Sequence, residues 1–427
     1  MSHPKILKCI KFQGVEYILT MDLDKQMEKL TTAAATTEQQ VTPWDVQGEV
    51  VDGKAQAINY SKLMQQFGCQ ALTPELIARL EKATGKPAHP LIKRGFVYCH
   101  RDFENILNLY EQGKPFYLYT GRGPSSESMH LGHMVPFLFC KYLQDAFDVP
   151  LVIQLTDDEK FLVKDITIQQ AEHYAVENSK DIIAVGFNPE KTFIFTNYGY
   201  MGHMYRTVTQ IQKLINYNQM RSVFGLGDSD NIGKTAFPCN QIAPSFSQCF
   251  PHIFGENKHV PCLIPYAIDQ DPYFRVCRDI APRIQLLKPA SLCTQFFPAL
   301  QGLHAKMSAS SENSAIYMTD AQAAIKNKIN KYSFSGGGDT LELHRMNGAN
   351  LAVDIAFQYL RFFLEDQEEL DRIATEYSAG RMMTGEVKAR CIQVLSDFVA
   401  QFQARRAQVT NETVKEFMAV RDMQRKN

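Results

Sequence analysis

Residues 115–160 read PFYLYTGRGPSSESMHLGHMVPFLFCKYLQDAFDVPLVIQLTDDEK. Two short apolar runs, 115–121 and 149–158, have the character of buried strands, and MHLGHMVPFLFCKYLQDAF between them can hold one crossover helix. This order predicts a βαβ unit with parallel strands. The alternation continues outward, with helix expected over VKDITIQQAEHYAVENSKDIIAVGF, strand over KTFIFTN, helix over YRTVTQIQKLINYNQMRSVF and strand over HVPCLIPYAIDQ. Strands alternating with helices predict an α/β fold with a mainly parallel sheet covered on both faces.

Upstream, TPELIARLEKATG predicts a helix with Thr73 as N-cap, Pro74 in the first turn, Glu75 at the positive end and Gly85 as the stop. The first 24 residues hold two β-rich runs, ILKCIKF and VEYILTM, about Gln13 and Gly14, which suggest a hairpin. The polar stretch that follows, to about Gln40, reads as a short helix, a linker or disorder, so compact structure is expected from about Thr42. Beyond about Thr319 the pattern changes to helices without strands: DAQAAIKNKINKY, VDIAFQYLRFFLED, EELDRIATEYSAG and a long one over roughly 384–407. Leu395, Phe398, Val399 and Phe402 make a core-facing stripe on the last of these. SFSGGGDTL (333–341) is read as a loop near the junction.

Composition limits the function. With 45 Lys and Arg against 46 Asp and Glu in 427 residues, no global positive field advertises nucleic acid or anionic membrane, so such a partner must use a local patch. A hydrophobic share of 45% with 21% charged residues excludes a largely disordered chain, a collagen-like fibre and a coiled-coil rod. Ten scattered cysteines without a CxxC pair are read as reduced thiols. The N-terminus lacks a signal-peptide core and no apolar run reaches spanning length, so a cytoplasmic chain without a membrane partner is expected.

The glycine-rich turn TGRGPSSESMHLGHM follows a strand and precedes a helix, with His130 and His133 on one helical face. Amide donors at a helix N-terminus attract anions, imidazoles can donate to phosphate oxygens, and Gly132 can let a flat base lie against the backbone. A zinc reading of the two histidines lacks third and fourth ligands nearby. AKMSASS (305–311), after the loop-like PALQGLH, offers Lys306, Ser308 and Ser310 to charge developing on a phosphoryl group. GLGDSDNIGKT is not a P-loop: five residues separate Gly227 from Gly233, and Asp228 and Asp230 would repel phosphate. LTDDEKFLVKD places Asp157, Asp158, Glu159 and Lys160 after a parallel-type strand, where one carboxylate could hold a ligand ammonium and a solvated helix start is the plainer reading. IDQDPYF sets polar Asp269 and Gln270 beside aromatic Tyr273 and Phe274.

His130-Leu131-Gly132-His133 resembles the HIGH motif, and Lys306-Met307-Ser308-Ala309-Ser310 the KMSKS motif, of class I aminoacyl-tRNA synthetases. GRGPSSESMHLGH, QLTDDEK, SFSQCFPHIF, AIDQDPYFRVCRD, PALQG and KMSAS together resemble the eukaryotic-type tryptophanyl-tRNA synthetases over about Thr42 to Met418. The resemblance implies a Rossmann-type catalytic domain over 42–318, a helical anticodon-binding domain over 319–408, a tail over 409–427 that returns to the catalytic domain, and an appendage of unknown role over 1–41. It implies a cytoplasmic homodimer that charges tRNA(Trp) with L-tryptophan, using ATP with magnesium and no permanently bound metal. Tyr119 and Gln154 would hold the indole nitrogen, Glu159, Gln241 and Gln270 the ammonium, and Phe274 part of the aromatic wall. ATP contacts carry over to Arg122, His130, Gly132, His133, Lys160, Lys306, Met307 and Ser308. In SGGGDT, Gly338 stands where relatives have an arginine, which weakens Asp339 as an anticodon contact. A small-molecule nucleotidyltransferase would not need the helical region, and a catalytically silent descendant would not need both histidines and Lys306.

Overall fold

The computed structural model describes residues 6–12, 15–21, 38–43, 46–51, 54–307 and 314–423. Seven strands form the central sheet: β1 (Gln70–Ala71), β2 (Val97–Arg101), β3 (Tyr117–Arg122), β4 (Leu151–Leu155), β5 (Thr192–Thr196), β6 (Cys262–Ala267) and β7 (Ala290–Thr294). Their spatial order is β5-β4-β3-β6-β7-β2-β1. Neighbours from β5 through β7 run parallel, and β2 and β1 add an antiparallel edge. Every residue of β4 and β7 is buried, as a parallel sheet covered on both faces requires. The crossover between β3 and β4 is α1 (Leu131–Phe147), which buries Leu131, Met134, Phe139 and Leu143.

Three expectations need correction. The single helix expected over YRTVTQIQKLINYNQMRSVF is two, Asn197–Gln212 and Tyr217–Phe224, because Asn216 and Gln219 form a capping box that starts the second afresh. The single helix expected from Val163 to Phe187 starts later and follows a separate short one: α2 (Asp157–Val163) ends at an extended Lys164, and α3 (Ile168–Ile183) starts afresh. Thr167 and Gln170 form a capping box that competes successfully with continuation. The segment PALQGLH is not a plain loop. Pro298–Ala299 pairs antiparallel with Gly302–Lys306, so a short strand leads into KMSAS. Gly302, at φ +145°, makes the turn in backbone space that L residues rarely adopt.

The helix over Pro74–Thr84 has the expected ends, with Thr73 accepting from Leu76 N–H and Gly85 in the left-handed region. GLGDSDNIGKT closes on itself: Asp230 accepts from Gly227 N–H and pairs with Lys234, while Asn231 caps a helix, α4 (Ile232–Ile242).

At the N-terminus, Ile6–Phe12 pairs antiparallel with Val15–Met21, the hairpin that the two β-rich runs suggest. The stretch expected as helix, linker or disorder falls mostly on 22–37, outside the described residues. Gln39 binds both the N–H and C=O of Asn59, and Gln40–Val41 pairs with Val46–Gln47. The tie to the body therefore begins a few residues before Thr42. Deleting residues 1–37 is expected to leave melting and activity intact, whereas deleting 1–47 removes these bonds and Pro43 of the cleft. Thermal melts and pyrophosphate exchange on the two truncations check this; equal behaviour would refute the boundary.

The helical part consists of α5 (Gln322–Tyr332), α6 (Leu341–Asn347), α7 (Ile355–Phe363), α8 (Gln367–Ser378) and α9 (Thr384–Arg406), followed by α10 (Asn411–Met418). On α9, Leu395, Val399 and Phe402 are buried and Phe398 packs against the core they join. That core is continuous with the one behind the sheet: Phe297 stacks on Tyr359 at 4.6 Å, and Phe96 lies 3.8 Å from Phe362. Arg94 and Arg361 exchange guanidinium-to-carbonyl bonds across the same junction. From α10, Val414 and Phe417 are buried, and beyond it Arg421 donates to the Thr192 carbonyl of β5.

Of the two arginines at the end of α9, Arg406 is half-buried and engaged by two carboxylates, so it is not a free phosphate ligand, whereas Arg405 stays exposed and is tied through its Nε alone. Arg405 donates to the Ala184 carbonyl, and Arg406 pairs with Asp181 and Glu177. They fasten α9 to α3.

Candidate active site

The chain leaves β3 toward β4 on one side and returns from β5 to β6 on the other, so the loops after β3 and β6 part and open a crevice at their carboxyl ends. A cleft of about 310 Å³ lies there. Its lining includes Tyr119, Arg122, His130, Gly132, His133, Glu159, Lys160, Gln241, Gln270, Phe274 and Met307. Most of the residues singled out from sequence thus meet in one place, although they come from six segments. Gln154 lies behind the lining, completely buried. Lys306 ends the strand before Met307, Ser308 falls outside the described residues, and Asp339 is exposed on the helical part.

At one end of the cleft, a buried network starts at Tyr119. Its hydroxyl lies 2.6 Å from Gln154 Oε1 and 2.6 Å from the Gln241 carbonyl oxygen. The hydroxyl has one hydrogen for these two acceptors. Both hydrogens of Gln154 Nε2 are taken, by Asn197 Oδ1 at 2.7 Å and the Asn240 carbonyl at 3.0 Å. Asn197 and Asn240 in turn donate to the two oxygens of Asp158, at 2.7 and 2.9 Å. The orientation of the Gln154 amide is therefore fixed by partners on all sides, and the group is one donor short. Phe274 supplies an aromatic wall, edge-on to Tyr119 at 6.1 Å and stacked on Tyr266 at 4.8 Å.

The other end is cationic. Burial lowers Arg122 to about 10, which leaves it charged at neutral pH; its Nε donates to Asn178, and one terminal nitrogen is buried without a protein partner. His130 is buried too, and desolvation, aided by Arg122, pushes it down to about 3. Its imidazole is neutral at pH 7 and offers one N–H donor, with both ring nitrogens buried and unpartnered. The ring stacks on His133 with centroids 3.4 Å apart. A Cβ on Gly132 would sit 3.2 Å from the His130 ring and 3.4 Å from Met307, so the space that glycine frees is used by these two side chains rather than standing open for a base. Lys160 pairs with Glu159 at 2.9 Å, and Thr156 donates to the other Glu159 oxygen.

The run Asp157-Asp158-Glu159-Lys160 is not a solvated helix start. Asp157 is fully buried, one oxygen has no partner, and desolvation raises its carboxyl to about 6. Against an ordinary 3.8, the folded state then holds more protons than the unfolded chain, so this group's contribution is full below about pH 4 and is lost as pH rises through about 6. Asp157→Asn should therefore gain stability relative to the parent between pH 4.5 and 7.5, by up to about 3 kcal/mol. Denaturant melts at both pH values check this, and a pH-independent difference would contradict it.

Sequence reading missed Asn197, Asn240, Thr156 and Gly123. The first two look like ordinary helix residues, and only the fold aims them at Gln154 and Asp158. Gly123 did carry a signal, in the string GRGP: a Cβ there would lie 2.2 Å from Lys160 Cε and 2.6 Å from Glu159 Oε2. In the SGGGDT loop, a Cβ on Gly338 would meet the His344 backbone nitrogen at 2.6 Å, so the arginine of relatives does not fit without rearrangement.

This fold and cleft define a class I aminoacyl-tRNA synthetase. Residues 111–400 match the family model for class I tRNA synthetases of the W and Y type. The chain is 57% identical over 383 residues to the cytoplasmic tryptophan–tRNA ligase of Schizosaccharomyces pombe, covering 89% of this chain and 97% of that one. It is 54% identical over 394 residues to the Homo sapiens cytoplasmic tryptophan–tRNA ligase, covering 92% of this chain and 83% of that one. The crystal structure of Plasmodium falciparum tryptophanyl-tRNA synthetase superposes with a TM-score of 0.82 at 50% identity, covering 86% of this chain and all of that one. The chain belongs to the eukaryotic-type, cytoplasmic tryptophan–tRNA ligase family.

Proposed function

We propose that the cleft activates L-tryptophan with ATP to tryptophanyl-adenylate and pyrophosphate, then transfers tryptophan to the 3′ end of tRNA(Trp) in the cytoplasm. The observation that carries this reading is the excess of acceptors about Tyr119: one hydroxyl hydrogen serves two oxygens at 2.6 Å. An indole N–H supplies the missing donor, and Phe274 flanks the ring. Glu159, Gln241 and Gln270 take the ammonium. The tryptophan carboxylate is ionised at neutral pH, so it attacks the α-phosphorus in line without a general base. The protein's work is positioning and charge stabilisation.

Arg122, Lys160 and Met307 hold ATP, and Gly132 contributes by leaving room for the His130 ring and Met307 beside it. His130 donates its single N–H to the phosphates, and His133, Lys306 and Ser308 act beside it as pyrophosphate leaves. Magnesium would be held chiefly by the ATP phosphates, with several waters retained. When bound, it neutralises phosphate charge. A homodimer would present tRNA to one subunit's cleft and the other's helical part, with Asp339 in the exposed loop as an anticodon-side contact. Charging assays with purified chain and tRNA(Trp) test the assignment. Esterification by tryptophan is expected, and charging by tyrosine in its place would overturn it.

A further inference from the structure

Away from the cleft, three cysteines distant in sequence meet at the antiparallel edge of the sheet. Cys99 on β2 and Cys293 on β7 are register partners, and Cys69 immediately precedes β1, which pairs with β2. Their sulfurs lie within 4.8 Å of one another. Cys99 and Cys293 are completely buried, whereas Cys69 is half-buried and reachable from solvent. Each sulfur is held by regular structure. The helix Tyr60–Phe67 ends at Gly68 in the left-handed region, and the Cys69 N–H closes back on the Met64 carbonyl at 3.0 Å, fixing the third thiol beside the other two.

We infer that Cys69, Cys99 and Cys293 form a binding site for a thiophilic divalent cation of the zinc class, with the fourth position open to water on the Cys69 side. Soft thiolates select such ions, and Zn–S bonds of about 2.3 Å put sulfurs about 3.8 Å apart, so the cluster contracts by at most about 1 Å to close on the metal. The surroundings match the charge. Cys69 Sγ lies 3.9 Å from Asp271 Oδ1, and Asp271 is paired with Arg101 at 2.9 Å and Arg275 at 3.2 Å. Three thiolates and Asp271 are then balanced by a divalent ion and two guanidiniums. Hydrogen bonds from Cys293 and Cys99, with Arg101 and Arg275 close by, pull the Cys69 thiol below its ordinary value, while burial pushes Cys293 up. Without a cation, the inner thiols keep their protons. Binding forms three metal–sulfur bonds and displaces the protons the inner thiols carry into solvent, so affinity falls as pH falls. β7 runs directly into Thr294, Gln295 and Phe296 of the cleft wall, which makes the ion a staple behind the substrate site.

The test uses the full chain, reduced and freed of metal, with Co2+ as a spectroscopic probe and Zn2+ against a chromophoric chelator. One equivalent of Zn2+, a thiolate-to-cobalt charge-transfer band, and at least a tenfold slower alkylation of Cys69 with Zn2+ present are expected. Cys69→Ser and Cys293→Ser should each remove the band. If Cys293→Ser fails to fold, Cys69→Ser decides, because its position is partly exposed. No band with excess Co2+, unchanged alkylation of Cys69, or a band that survives in Cys69→Ser would overturn the site.

Discussion

His130→Ala and Lys306→Ala are each expected to slow adenylate formation about 10²–10³-fold, with little change in tryptophan affinity. The His130 ring is already desolvated, neutral and unpartnered, so its donor is aimed in advance at charge that appears only as pyrophosphate leaves. Nothing in the Tyr119 end of the cleft depends on it. Lys306 ends the strand paired with Pro298, and its charge is proposed to act beside His130 as pyrophosphate leaves. Single-turnover adenylate formation, with equilibrium dialysis of labelled tryptophan, separates rate from binding. Unchanged rates in both variants would remove these residues from the reaction, and equal losses of rate and binding would make their role structural.

Gln154→Leu is expected to have two effects, one on specificity and one on the fold. A site built around a substrate N–H can reject an analogue lacking it by about 10⁴–10⁵, and part of that discrimination against phenylalanine should go with the amide. The same change strips a donor from Asn197 Oδ1 and from the Asn240 carbonyl, and leaves Tyr119 with one acceptor. Buried groups left unpaired cost about 1–3 kcal/mol each, so melting should also fall. Tyr119→Phe touches only the hydroxyl and leaves the Asn197 and Asn240 bonds in place. Comparing kcat/KM for tryptophan and phenylalanine in both variants distinguishes reader from scaffold: a preference unchanged in both would take the pair out of the recognition site.

The βαβ core and the histidine turn were legible because each is contiguous: strand, glycine turn and helix follow one another within residues 115–160. β5 and β6 were legible too, as the apolar runs KTFIFTN and HVPCLIPYAIDQ, whereas β1, β2 and β7 were not. β7, ASLCT, has no bulky β-branched run, and β1 is two residues long; β7 is a strand because β6 and β2 pair it from both sides, and β1 because β2 pairs it at the edge. Asp158 could be singled out, but its two asparagine partners come from segments 39 and 82 residues away. The cysteine cluster was invisible for the same reason, since no spacing rule links positions 69, 99 and 293. Arg406 shows the converse: a basic residue at a helix end looks like surface in sequence, and only the fold brings Asp181 and Glu177 of α3 to it.

The central claim is that the cleft selects tryptophan by completing a donor-deficient pair of oxygens beside Tyr119. Pyrophosphate exchange into ATP, driven in turn by tryptophan and by its sulfur isostere in which the indole N–H is replaced by a ring sulfur, tests it most directly. The two amino acids match in shape and differ in the one donor. A fall of kcat/KM by about 10²-fold or more for the isostere is predicted, in keeping with the cost of unpaired buried acceptors. Equal exchange with both, or exchange driven better by tyrosine, would contradict the account.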